Sequence, residues 1–194
     1  MQVGRAVAFV AVAGVAWAGE RPLQSAIEGR GGRIASAVAT FANLAGSGYA
    51  VVALGVLALA AGTWLRKEDL TQAALVLGAA GLWAFLLVQV GQLVLAEQRP
   101  IEGGAMRFLA LHGHGVSGHA AAAALLILPA RDVWLRRASA RSRHLAVVLL
   151  TTWAAVVGWS RVWLGMHFAW NVVLGFAIGF CASSGAVAAW RERT

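Results

Sequence analysis

The sequence predicts an all-α polytopic membrane protein of about six transmembrane helices, on three observations. Hydrophobic residues make up 60% of the chain and charged residues 12%, with a mean hydropathy of +0.72; a water-soluble globule of this size needs far more polar surface. The apolar residues fall into runs near the length of about 20 residues that crosses a bilayer core. The basic residues, which give a net charge of +8 and a pI near 11.6, gather between those runs, where they set topology and meet anionic headgroups. Nucleic-acid binding is therefore a poor reading of the charge. Cys181 lies inside an apolar run and has no second cysteine to pair with.

The elements follow in order, and residues 1–194 read as a single transmembrane domain. Arg5, the apolar run Ala6 to Ala18 and the small residues of Ala16-Trp17-Ala18 imitate a cleavable signal peptide, but the preferred reading is an uncleaved first span, Val3 to Gly19. A charged loop with Glu20, Arg21, Glu28, Arg30 and Arg33 follows. Ile34 to Leu44 suits a short interfacial helix stopped by Gly46-Ser47-Gly48, since glycine and a capping serine end and restart helices. The second span is Tyr49 to Leu65, closed by Arg66-Lys67-Glu68-Asp69. The acidic pair belongs in the first turn of the third span, Leu70 to Leu95, where it meets the positive end of the helix dipole.

A long polar connection, Ala96 to Gly115, carries Glu97, Arg99, Pro100, Glu102, Arg107, His112 and His114; a loop of this length in a compact protein is read as functional. Ser117 can cap a fourth helix, whose alanines Ala120 to Ala124 permit close packing. After Pro129 come Arg131, Arg136, Arg137, Arg141 and Arg143, then a fifth span, Leu145 to Trp163, and a sixth, His167 to Trp190. Placing the N-terminus in the cytoplasm leaves only six of the 16 Lys and Arg residues outside. The segments carrying Arg99, His119 and His167 then all face outward from a cytoplasmic membrane.

Those segments hold the residues that point to chemistry. A histidine such as His167 can attack phosphorus through one ring nitrogen if the other donates to a fixed acceptor. Asn171, four residues on, would share its helical face. His119 could protonate a leaving oxygen. Arg99 and Arg161 offer planar forks for phosphate oxygens, and the amides at Ser117-Gly118 open a helix, an anion site. His112, His114 and His119 could instead hold zinc or copper, but no carboxylate or cysteine completes that set at a recognisable spacing, so no metal site is predicted. Tryptophans such as Trp163 and Trp170 read as interface belt and packing.

Three patterns, Gln92 with Arg99-Pro100, Val116-Ser117-Gly118-His119, and Ser160-Arg161 with His167 and Asn171, together resemble the type 2 phosphatidic acid phosphatase family, membrane lipid phosphatases related to vanadium haloperoxidases. Its motifs are Lys, six residues, Arg-Pro; Pro-Ser-Gly-His; and Ser-Arg, five residues, His, three residues, Asp. The resemblance implies a haloperoxidase-like helical bundle that hydrolyses a lipid phosphate or pyrophosphate without metal or cofactor. It makes His167 the nucleophile, His119 the general acid, and Arg99, Arg161, Ser117 and Gly118 the phosphate cradle. The substrate class would include isoprenyl pyrophosphates, phosphatidic acid and phosphatidylglycerol phosphate, entering sideways from the membrane lipids.

Three positions depart from the pattern. Gln92 stands at the lysine of the cradle and removes a positive charge. Asn171 stands at the aspartate that supports the nucleophile; its carbonyl can accept the ring proton but cannot neutralise an imidazolium. Val116 replaces a proline. Two readings stay open: a working phosphatase, with Glu97 or Glu102 on the correct side to supply a carboxylate, or a catalytically inactive membrane subunit that binds lipid, packs against partner membrane proteins or self-associates.

Overall fold

The computed structural model describes residues 32–95 and 115–194. The expected first span, Val3 to Gly19, the pair Arg99-Pro100, Glu97, Glu102, His112 and His114 lie outside the described residues. All the described elements are helical: α1 (Gly32–Ala45), α2 (Gly48–Trp64), α3 (Glu68–Leu95), α4 (Gly118–Leu125), α5 (Ile127–Pro129), a π-helical turn (Ala130–Trp134), α6 (Ala140–Trp163) and α7 (Ala169–Arg191).

The break between α1 and α2 falls at the glycine-serine turn, as the sequence suggests. Ser47 accepts a hydrogen bond from Ala50 N at 3.2 Å and caps α2, and the two helices meet at a bend of 53°. The turn from α2 to α3 is tight. Gly62 leaves no room for a Cβ, which would stand 2.6 Å from Thr71 Oγ1, and Arg66 closes the helix in the left-handed region at φ 53°. Glu68 and Asp69 occupy the first turn of α3, as expected from the dipole.

α4 is the centre of the bundle. Ala120 to Leu125 are all buried, enclosed by α3, α6 and α7. Small residues make this possible, because a helix of alanines lets neighbouring backbones approach closely. Gly175 and Gly179 on α7 complete the fit: a Cβ at Gly179 would sit 2.2 Å from the Ala121 carbonyl oxygen. Pro129 then interrupts the hydrogen-bond ladder because it has no N–H, and the chain passes through the π turn, where Leu135 N reaches the Ala130 carbonyl at 2.9 Å.

Two helix boundaries differ from the sequence expectation. α6 starts at Ala140 rather than Leu145, because Ser139 caps it by accepting from Ser142 N at 3.1 Å; Arg141, Arg143 and His144 thus sit in helical turns and not in a loop. α7 starts at Ala169, two residues after His167.

The end of the bundle where α3 begins and α7 finishes carries the ion pairs. Asp69 bridges Arg136 at 2.6 Å and Arg137 at 3.5 Å, Asp132 bridges Arg131 and Arg191, and the Arg136 guanidinium lies 5.6 Å from the centre of the Trp190 ring. Large apolar side chains such as Leu57, Trp83, Phe85, Leu93 and Leu149 point outward, a surface that only lipid tails solvate well. α3, α6 and α7 are each long and apolar enough to cross a membrane, and α1 with α2 makes a fourth such crossing if the bent pair is one span. The chain is a multi-pass membrane protein.

Candidate active site

At the opposite end of the bundle the last turn of α6, the start of α7 and the start of α4 come together. The connection from α6 to α7 is built around one carbonyl. Met166 N and His167 N both donate to Arg161 O, at 3.0 and 3.1 Å, and Gly165 makes the reversal possible at φ 62°, a conformation that costs a residue with a side chain about 1–2 kcal/mol. This turn delivers His167, 6% exposed, beside Arg161, 4% exposed. Ser160 beneath them is fully buried and its hydroxyl donates to Val157 O at 2.6 Å.

Phe168 then precedes α7, and Asn171 N donates back to the Phe168 carbonyl at 3.1 Å. His167 and Asn171 therefore do not share a helical face as expected: His167 stands before the helix, in the turn that Gly165 creates, while Asn171 lies in its first turn. Asn171 is 2% exposed, and its main chain has a definite role. Ser117 N donates to the Asn171 carbonyl oxygen at 3.1 Å, so the second and third sequence patterns are joined backbone to backbone.

Ser117 is fully buried and accepts from Ala120 N at 3.3 Å, capping α4 as expected. Gly118 opens that helix and His119, half-buried, follows in its first turn. Gly175 presses against this start, since a Cβ there would come within 2.3 Å of Ser117 O. Gln92, near the end of α3, donates from Nε2 to the Val116 carbonyl at 3.0 Å. The first pattern therefore reaches the second through Gln92, whose amide braces the turn entering α4. Arg99 is outside the described residues.

Sequence reasoning missed one residue. Asn43, on α1, accepts a hydrogen bond from Arg161 Nη1 through its side-chain oxygen. Its only signal was a polar stripe at helical spacing, Ser36, Thr40 and Asn43, in an otherwise apolar run. Trp163 is packed inside the protein, 9% exposed and against Trp159 with 5.6 Å between ring centres, in keeping with a packing role.

Charge is segregated along the bundle. The described carboxylates, Glu68, Asp69, Asp132 and Glu192, belong to the ends of helices away from this site, whereas Arg161, His167 and His119 lie at it. An arginine, two histidines and a helix start, with no described carboxylate among them, make a place for an anion. Among the described residues no cluster of three His, Cys, Asp or Glu could hold a metal.

No curated protein matches the sequence. A crystal structure of a transmembrane PAP2-type phosphatidylglycerolphosphate phosphatase from Bacillus subtilis shares the fold, with a TM-score of 0.72 at 21% identity, covering 98% of this chain and 96% of that one. The family model of the PAP2 superfamily matches residues 73–194. That range holds Gln92, the Ser117 to His119 segment and the Ser160 to Asn171 turn, and the chain belongs to the PAP2 superfamily.

Proposed function

We propose that this protein is a membrane lipid phosphatase, acting as one transmembrane domain on a lipid phosphate or pyrophosphate at the outer face of the cytoplasmic membrane. The observation that carries the reading is the bond from Ser117 N to Asn171 O, which brings the anion-binding start of α4 against the turn that holds Arg161 and His167. The orientation is supported by the basic residues at the far end of the bundle, Arg66, Lys67 and the arginines from 131 to 143, which favour the cytoplasmic side.

In the proposed reaction a ring nitrogen of His167 attacks phosphorus, the bond from phosphorus to the lipid oxygen breaks, and His119 gives that oxygen its proton. Water then attacks the phosphohistidine, with His119 accepting the water's proton, and inorganic phosphate leaves as His167 is regenerated. Arg161, with Arg99 and the Gly118 amide at the start of α4, would stabilise the charge spread over the equatorial oxygens, the larger part of catalysis in phosphoryl transfer.

A lipid is favoured over a soluble phosphate by an open apolar groove of about 310 Å³ lined by Ala124, Ile127, Thr151, Ala154, Phe176 and Phe180. It lies along the same three helices, α4, α6 and α7, one to three turns from the motif residues, where a tail would hang from a bound headgroup. Ala155 stands exposed at its edge. Ala155→Trp is expected to lower kcat/KM for long-chain lipid phosphates by about tenfold, the scale of lost apolar contact in a pocket, and to leave short-chain analogues unchanged. Equal loss with both would remove the groove from the account.

One observation favours the second reading, an inactive family member that binds lipid, self-associates or packs against membrane partners. The Gln92 amide is engaged with the Val116 carbonyl, so position 92 braces the fold. Phosphate release from a panel of lipid phosphates and pyrophosphates separates the readings. The wild-type protein is expected to release phosphate, and Asn171→Asp to raise turnover by about tenfold or more, because a carboxylate both orients and charge-balances the imidazole. If Gln92→Lys with Asn171→Asp releases no more than a His167→Ala control, the inactive reading stands.

A further inference from the structure

We infer that Asn43 is a positioning residue for Arg161, an assignment that rests on the reading of Arg161 as a phosphate ligand. Asn43 lies before the family-matched range of residues 73–194, on a helix to which the three patterns assign nothing. Its side-chain oxygen nevertheless accepts from Arg161 Nη1 across 118 positions of sequence.

The contact is built, because α1 is seated on α6 by several independent contacts. Ala42 and Val157 are fully buried in one cluster with Ala154. Phe41 meets Trp153 edge to face, with 6.1 Å between ring centres. Gly46 approaches so closely that a Cβ would stand 2.5 Å from Val157 Cγ2. These contacts flank Asn43 in sequence and set the height of α1 along α6, so the amide meets the guanidinium in a fixed register.

The chemistry of the acceptor is the informative part. A buried guanidinium on a long side chain gains a defined orientation from a hydrogen bond at one corner, and an amide carbonyl supplies that bond without cancelling the charge. A carboxylate in the same place would form an ion pair and compete with phosphate for the fork. Asn43, as a neutral acceptor, adds no opposing charge of its own beside Arg161.

Alanine and aspartate at position 43 should therefore fail for different reasons. The full chain in detergent would be assayed for orthovanadate binding, by shift of the melting temperature, and for phosphate release from a lipid phosphate. Asn43→Ala is expected to weaken orthovanadate binding and lower kcat/KM by about tenfold, the lower end for a lost hydrogen bond to a charged group. Asn43→Gln, which keeps the carbonyl, should recover part of this.

Asn43→Asp should weaken orthovanadate binding at least as much while its ligand-free melting temperature equals or exceeds that of the wild type. A purely structural Asn43 predicts the reverse, Asn43→Asp binding orthovanadate as the wild type does, and that result would overturn the assignment. If the wild type binds orthovanadate but releases no phosphate, the phosphatase reading fails while the three variants still decide the role of Asn43. If the wild type does neither, Arg161 is no phosphate ligand and both fall.

Discussion

Replacement of His167 by alanine is expected to remove phosphate release, with turnover falling by about 10⁴- to 10⁶-fold, the range seen when a nucleophile acting in a unit is deleted. The fold should survive the change. The turn that presents His167 is held through its main chain, by Met166 N and His167 N on the Arg161 carbonyl and by Gly165 in the left-handed region, and none of these needs the imidazole. The variant should therefore express and elute as the wild type does in detergent. A rapid acid-free quench of the wild type should reveal base-stable phosphate on His167. Turnover in His167→Ala within tenfold of the wild type would show that the nucleophile lies elsewhere.

The second large effect is on the fold. Gly175→Val and Gly179→Val would each drive a Cβ into main-chain atoms of α4, at 2.3 Å from Ser117 O and 2.2 Å from Ala121 O. A backbone carbonyl in a helix cannot rotate aside as a side chain can, so α4 and α7 must separate. Overpacking of a close-packed interior costs about 1–3 kcal/mol, and sometimes more; two adjacent clashes together approach the total stability of about 5–15 kcal/mol typical of native proteins. The double variant is expected to give no monodisperse protein. Gly185 on the same helix meets nothing within 4 Å, so Gly185→Val should stay within about 0.5 kcal/mol of the wild type. A double variant that melts with the wild type would mean that α4 and α7 do not pack through these glycines.

Gly175→Ala separates the two roles of this interface, since its smaller Cβ still meets Ser117 O. It moves the residue whose N–H holds the Asn171 carbonyl, and activity should fall before the fold does.

The fold was readable where polar residues mark the ends of apolar runs. Glu68 and Asp69 announce the start of α3 within its first turn, and the Gly46-Ser47 break was visible as a glycine followed by a capping serine. The start of α6 lies earlier than hydropathy suggests, because arginines in a first turn look like loop until Ser139 is recognised as the cap. The start of α7 lies later than hydropathy suggests, because apolar residues continue through the turn on either side of Gly165 and only the hydrogen bonds to Arg161 O show that the turn precedes the helix.

The candidate site divides in the same way. Motif spacing singled out Ser117, Gly118, His119, Arg161, His167 and Asn171, because each belongs to a short segment whose chemistry is written in adjacent residues. The all-helical membrane architecture, the family and most of the residues at one end of the bundle were legible in the chain, since hydropathy, caps and short motifs are written within single contiguous segments. It takes the packed helices to show that Gln92 serves the Val116 carbonyl, that the Asn171 main chain holds Ser117, and that Asn43 reaches Arg161. Those partners are separated by tens of residues or more, and they meet because glycines and alanines let particular helices close to backbone distance.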